Sequence, residues 1–378
     1  MSNNSDSRDP VLQSMLQESY RLPDSAARDA LRESIASRAE ALGDIDTAWS
    51  MRCAVLSSTT THNNPRIQSL FLNLAWCLAV HDRAPDEFNP QRVLWSYKWV
   101  ATDAPRYASV PTSVLHRLID DMDARFLRAG WGGRAGLHKR LELAMLTGNP
   151  AAARELLARW SGVARDRGSD CAACEANTVV DLHTMLGDAA SAVRHAQAII
   201  GGRLSCTTVP HSTFGLLLGP LTSLGRTRQA DELYQRGRRL VASMAEGGCT
   251  YATPYILYAA RRGDLSNAAG MLRTRLRQAV KLQSDADRLI TFGPYAVALT
   301  LMSRQGDDAN EWPPPSGFPG HGALDGELVS TGRLAEICSA IALAHARALD
   351  LRNGNNYYAA WLARLAREHG VDQVFSIG

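Results

Sequence analysis

Lysine is almost missing from this 378-residue chain: only Lys98, Lys139 and Lys281 occur, so arginine carries nearly all of the positive charge. Arginine suits bidentate contacts with carboxylates or phosphates, but we attribute its excess here to genomic base composition. The formal net charge of +3 is also too small to indicate a nucleic-acid-binding protein by itself. Scarcity of lysine therefore identifies no class of ligand.

Long apolar runs are missing too, and this absence bears on location. No stretch approaches the roughly 20 apolar residues that a membrane-spanning helix needs. The first ten residues are polar and acidic and contain no apolar core of a signal peptide. Seven cysteines are an odd number in a long chain, which disfavours a disulfide framework and favours reduced thiols. We therefore expect a cytoplasmic protein with neither a membrane nor a nucleic-acid partner.

The common catalytic motifs are also absent. The sequence contains no GxxxxGK[ST], GxSxG, HExxH or GxGxxG, so phosphate-loop, hydrolase, zincin and Rossmann functions lack their main motifs. Asp120, Asp121 and Asp123 form one acidic run, and such runs hold magnesium and a diphosphate in terpene-forming all-α enzymes. That family's motif needs an acid where this chain has Ala124. An all-α metal-dependent enzyme or accessory protein therefore stays an alternative.

A spaced pair of small residues is the strongest pattern that is present. Five times a glycine is followed five residues later by an alanine, and the last four glycines are 39, 38 and 38 residues apart. The pairs are Gly43/Ala48, Gly148/Ala153, Gly187/Ala192, Gly225/Ala230 and Gly263/Ala268. Glycine tolerates the positive φ that follows many helices, and alanine one turn into the next helix lets two axes approach closely. A fixed period of this length predicts a solenoid of helix hairpins.

Helical periodicity, together with the absence of period-2 alternation, predicts an all-α chain with essentially no sheet. Four hairpins follow Gly133, and a long helix containing Pro294 comes after them. We divide the chain into a disordered N-terminus (1–10), an N-terminal helical region with degenerate repeats (11–130), regular repeats (131–305), a Pro/Gly-rich loop (306–330) and C-terminal capping helices (331–378). The predicted hairpins are 134–147 with 150–162, 171–186 with 189–200, 211–224 with 226–245, and 251–262 with 265–283, and the long helix is 285–304.

The segments LGDAASA, LGRTRQA and LGDIDTA resemble the tetratricopeptide-repeat family, well over 133–285 and weakly over 25–100. The period is four residues longer than usual, and most of the family's aromatic positions are missing. The resemblance implies a right-handed superhelix whose concave groove is lined by the first helix of each hairpin. Positions counted back from each turn glycine give the expected partner-binding residues His138, Glu142, Asn177, Asp181, Thr184, Ser212 and Thr222.

The cysteines offer one candidate metal site. Cys171 and Cys174 form a CxxC, and Cys206 and His211 follow one repeat later, at the corresponding end of the next hairpin. Three cysteines and one histidine can close a tetrahedral structural zinc site. Two alternatives stay open: a redox-active CxxC at a helix N-terminus, and unconnected residues of which two are small buried fillers.

These patterns predict an architecture more firmly than an activity. The favoured function is a non-enzymatic scaffold that binds a peptide or protein in its groove, with a structural zinc between repeats. The first alternative is a peptide-sensing cytoplasmic regulator that acts by protein contact. The sequence indicates neither the identity of the partner nor the oligomeric state.

Overall fold

The computed structural model describes residues 9–23, 25–62, 66–244, 248–306, 311–313 and 328–375. Over these residues the chain is all-α, as predicted, with eighteen α-helices and a single pair of two-residue strands. None of the described helices is long and apolar enough to span a membrane.

The elements are α1 (Pro10–Arg21), α2 (Ala26–Ala41), α3 (Ile45–His62), α4 (Ile67–Arg83), α5 (Gln91–Asp103), a 3-10 helix (Ala104–Arg106), α6 (Thr112–Arg128), α7 (Arg134–Leu146), α8 (Pro150–Ser161), α9 (Ala172–Met185), α10 (Ala189–His195), α11 (Gln197–Ile200), α12 (His211–Ser223), α13 (Thr227–Ala242), α14 (Cys249–Arg261), α15 (Leu265–Ala279), α16 (Asp285–Arg304), β1 (Glu311–Trp312), β2 (Val329–Ser330), α17 (Thr331–Asn353), α18 (Tyr357–Glu368) and a second 3-10 helix (Asp372–Phe375).

The glycine–alanine pairs do what their spacing predicts. All five glycines have a positive φ, between 68° at Gly148 and 74° at Gly43. All five paired alanines are fully buried, at 0% exposure. Aspartate or asparagine then caps the second helix of four of these hairpins, as Asp188 does by accepting a hydrogen bond from Ser191 N at 3.0 Å. Turn, cap and close helix contact are thus set by three successive local signals.

The hairpins follow one another in a row. Helix α7 pairs with α8, α9 with α10, α12 with α13, and α14 with α15. The first helices also contact each other in order, α7 with α9, α9 with α12, α12 with α14, and α14 with α16. Helix α16 spans the residues predicted for it, with Pro294 inside. The first helices of successive hairpins therefore lie next to one another.

The two ends of this row meet, which the sequence does not predict. Arg106, in the first 3-10 helix, forms an ion pair with Asp287 in the first turn of α16. Arg352, near the end of α17, donates hydrogen bonds to the carbonyl oxygens of Pro105 at 2.6 Å and Tyr107 at 2.9 Å. The segment between α5 and α6 therefore contacts the last two long helices. The predicted right-handed superhelix remains a prediction, because these contacts do not establish its handedness.

Helix α18 adds a second contact across the row. Tyr358 Oη donates to the carbonyl oxygen of Leu146 at 2.7 Å, and Asn355 Nδ2 donates to that of Thr147 at 2.7 Å. The ring of Tyr357 packs so closely over Gly148 that a Cβ at this position would lie 2.3 Å from it. Gly148 is thus required both for its positive φ and for this close approach.

The ends of the chain differ in detail from the predicted domains. Residues 1–8 of the predicted disordered N-terminus lie outside the described residues, but Asp9 already caps α1 and pairs with Arg38 at 2.7 Å. Most of the predicted loop 306–330 also lies outside them. Its described parts include β1, which pairs antiparallel with β2 through Glu311 with Ser330 and Trp312 with Val329.

Candidate functional site

Two of the chain's three lysines meet at one buried carboxylate. Asp170, just before α9, is 5% exposed, and Lys98 Nζ lies 2.7 Å from its Oδ1. Lys139 Nζ lies 3.2 Å from Oδ2, and His138 Nδ1 lies 3.1 Å from the same oxygen. Lys139 Nζ also lies 2.8 Å from Glu142 Oε2. We call these five residues the Asp170 cluster.

Every charge in the Asp170 cluster has a partner. Two ammonium groups balance two carboxylates, and the ammonium of Lys98 also donates to the carbonyl oxygen of Gly168 at 3.0 Å. Burial would raise the pKa of Asp170, yet Lys139, the hydrogen bond with His138 and the charge of Lys98 hold it well below the usual range. Burial lowers the pKa of Lys98 in spite of Asp170. The cluster joins α5, α7 and the start of α9.

His138 is a correction to the predicted groove residues. Its side chain is 3% exposed and stacks on the ring of Trp160, with the centroids 4.8 Å apart. Its Nε2 lies 3.2 Å from Thr178 Oγ1. Because it sits within the protein interior, it offers no surface to a partner. The counting rule assumes an idealised repeat, whereas α7 has both of its faces covered here.

His138, Glu142 and Asp170 also bring ligand atoms within 4.8 Å of one another, the spacing of a possible metal site. Lys139 occupies that position, however, since its ammonium lies 2.8 Å from Glu142 Oε2 and 3.2 Å from Asp170 Oδ2. One fixed cation already neutralises these oxygens. The arrangement is an ion-pair cluster that needs no metal.

A second group of polar and charged side chains lies close enough together to interact electrostatically, and we call it the inner recess. It comprises Asp103 at the end of α5, Arg106, Asp181 on α9 and Tyr251 on α14, and Glu142 borders it. The side chains of Asp103 and Arg106 remain 20% and 31% exposed. Asp181 is half-buried, and the charges of Arg106 and Glu142 both act on it. The recess is therefore reachable from solvent.

The acids of the inner recess are poorly paired. Among the described residues, the one ion-pair contact of Asp103 is with Arg106 Nε at 4.0 Å, and Arg106 makes its closer ion pair with Asp287. Asp181 has no hydrogen bond or ion pair with any described residue. Burial raises the pKa of Asp103 to about 7 and that of Asp181 to about 6, in each case against the opposing charge of Arg106. Two partly exposed carboxyl groups thus have pKa values raised by burial and no close partner among the described residues.

The other predicted groove residues have local hydrogen bonds. Asn177 Oδ1 accepts from Thr213 Oγ1 at 2.6 Å and from Ser212 Oγ at 3.3 Å, which ties α9 to α12. Thr184 and Thr222 are half-buried and donate to carbonyl oxygens of their own helices, at 2.9 Å and 2.7 Å. Of the seven predicted residues, Glu142 and Asp181 lie with the charges of the inner recess. Sequence reasoning missed Asp103, Arg106, Asp170 and the two lysines.

Three cysteines converge as the sequence predicts. The sulfur atoms of Cys171, Cys174 and Cys206 all lie within 4.8 Å of one another. Cys171 caps α9, with its Sγ 3.4 Å from the amide nitrogen of Cys174. Burial alone would raise the pKa of the Cys171 thiol, but hydrogen bonds with backbone amides and with the neighbouring thiols lower it. Burial raises the pKa of the Cys174 thiol. The three thiols can hold a metal ion.

His211 does not join this group. It is 6% exposed and meets the ring of Tyr251 edge-on with the centroids 5.3 Å apart, and no described residue forms a hydrogen bond with its Nε2. It begins α12 five residues after Cys206, and its ring is buried between α12 and α14. The predicted ligand set is therefore reduced to its three thiols in this arrangement.

The acidic run on α6 is used in ion pairs. Arg140 lies 2.8 Å from Asp120 and 2.9 Å from Asp123. Asp121 accepts from Tyr97 Oη at 2.9 Å and pairs with Arg125 at 2.8 Å. These carboxylates are neutralised by arginines of the same fold, so nothing in their geometry favours the diphosphate-binding alternative.

Comparison with known proteins gives no family for this chain. No protein-family model matches it, and no curated protein matches it significantly.

Proposed function

We propose that this protein is a cytoplasmic helical-repeat scaffold that binds a peptide or protein segment along the inner surface of its hairpins, and that the inner recess receives a cationic side chain of that ligand. The proposal rests on Asp103 and Asp181, two partly buried carboxyl groups that have no close ion-pair partner among the described residues. An arginine or lysine side chain from a ligand would supply the missing charge.

The chemistry of the recess favours a cation over an anion. Asp103 and Asp181 supply two carboxyl groups without a close partner, whereas Glu142 is already paired with Lys139 and Arg106 with Asp287. A ligand carboxylate would meet like charges, whereas a guanidinium could donate several hydrogen bonds at once.

A displayed library of random heptapeptides tests the proposal. We expect peptides selected on the wild-type protein to be enriched in arginine and lysine, because the recess lacks a cation. The double variant Asp103→Asn/Asp181→Asn should lose at least tenfold in affinity for the selected peptides. Glu155→Gln, on the exposed surface of α8, is the matched control and should bind as the wild type does. Failure to select any peptide, or selection without a basic preference, would contradict the proposal.

We further propose that Cys171, Cys174 and Cys206 bind one Zn²⁺ ion that fastens the start of α9 to the turn before α12. Thiolates bind zinc at about 2.3 Å, which places tetrahedral ligands about 3.8 Å apart. The observed sulfur spacing of less than 4.8 Å needs only a small adjustment to reach this value. Metal analysis of the purified protein should give one zinc per chain, and the triple Cys→Ser variant should give none.

A further inference from the structure

The three-thiol cluster lies at an accessible edge of the molecule. Cys171 and Cys206 are exposed, and Cys174 is half-buried. The turn that carries Cys206 is closed by a hydrogen bond from Cys206 N to the carbonyl oxygen of Val209 at 2.8 Å. The remaining four cysteines, at positions 53, 77, 249 and 338, are all buried. Solvent therefore reaches this cluster and none of the other thiols.

The cluster offers three protein ligands. Within the part of the chain that the structure describes, no histidine, carboxylate or further cysteine joins the three sulfur atoms. His211, the fourth ligand that the sequence predicts, is held edge-on against Tyr251. Structural zinc sites almost always have four protein ligands, whereas sites with three leave one coordination position for water or an incoming group.

We infer that zinc at this cluster has an exchangeable fourth position that takes a thiolate from solution, either from a small-molecule thiol or from a cysteine side chain of a peptide. Two of its sulfurs are exposed, so this position is reachable. Zinc is borderline-soft and accepts sulfur readily. The exchange balances as zinc-bound water plus thiol giving zinc-bound thiolate, water and a proton. This inference rests on the proposed zinc.

Cobalt substitution separates the two proposals. Co²⁺ in a tetrahedral thiolate site has visible ligand-field bands and a sulfur-to-cobalt charge-transfer band whose intensity rises with the number of thiolates. We expect the apo-protein to bind one Co²⁺ per chain, and 2-mercaptoethanol to increase the charge-transfer intensity by about one third, as three thiolates become four. Cys206→Ser should reduce the starting intensity by about the same amount.

Two further arms distinguish the sources of the thiolate and the competing ligand. A cysteine-containing heptapeptide should reproduce the spectral change and its serine counterpart should not, if a peptide side chain can enter. His211→Gln should leave the cobalt spectrum unchanged. Absence of cobalt binding would overturn the zinc proposal itself. Cobalt binding without a response to either thiol, or a spectrum altered by His211→Gln, would overturn the exchangeable fourth coordination position and leave metal binding by the three thiols in place.

Discussion

The Asp170 cluster and the inner recess lie next to each other, but buried carboxylates are paired in the cluster and lack close partners in the recess. In the cluster, Asp170 is 5% exposed and contacts two ammonium groups and His138, and its pKa is held well below the usual range. In the recess, Asp181 has no described partner, and burial raises its pKa to about 6. Glu142 borders both. A paired buried charge joins helices, whereas an unpaired one is a cost to folding that a ligand can remove.

Removing the centre of the Asp170 cluster should produce the largest effect. Asp170→Asn would leave Lys98 and Lys139 buried beside a neutral amide, and breaking a buried pair typically costs about 3–5 kcal/mol of unfolding free energy. Chemical denaturation followed by circular dichroism measures this loss. Asp120→Asn is the control, since this carboxylate is 65% exposed and its pair with Arg140 should contribute less than about 1 kcal/mol. If both variants lose the same unfolding free energy, the buried ion pairs of the Asp170 cluster are worth no more than an exposed ion pair at the surface.

The sequence predicted the hairpins because their signals are local. A glycine at positive φ, a capping aspartate and an alanine at the helix contact act within about six residues, so all five Gly–Ala pairs are found as turns with fully buried alanines. The same local reasoning brought Cys171 and Cys174 to one helix start. It also placed Cys206 beside them, since successive repeats set corresponding ends next to each other.

What the sequence could not predict depends on contacts between distant segments. Arg106 meets Asp287, and Arg352 reaches Tyr107, across the whole repeat region, and no local pattern encodes such pairs. The burial of His138 follows from the packing of Trp160 against it, which a rule based on turn spacing does not include. One signal for the Asp170 cluster was present in the sequence. Arginine is the usual basic residue of this chain, yet two of its three lysines, Lys98 and Lys139, belong to the cluster.

Asp181 offers a smaller test with a definite pH dependence. Its folded-state pKa of about 6 is above the 3.8 that is ordinary for an aspartate, so the unfolded chain releases this proton more readily. The wild type should therefore lose stability as pH rises from about 4 to above 6, by up to about 3 kcal/mol from this group. Asp181→Asn should lack that loss, matching the wild type near pH 3 and exceeding it at pH 7. A difference between the two proteins that does not change with pH would show that Asp181 is not desolvated.

Ligand binding should show the same linkage, and more weakly. A cationic peptide favours ionised Asp103 and Asp181, whose pKa values of about 7 and about 6 mean that protons compete with it near neutrality. Between pH 7.5 and pH 6, isothermal titration calorimetry should therefore show affinity falling about fifteenfold, or roughly 1.6 kcal/mol, as protons are released on binding. The double variant Asp103→Asn/Asp181→Asn should bind weakly at both pH values, with no proton release. If wild-type affinity instead rises as the pH falls, the cationic group of the ligand does not pair with these carboxylates. The recess would then resemble the Asp170 cluster, whose charges are all paired within the protein.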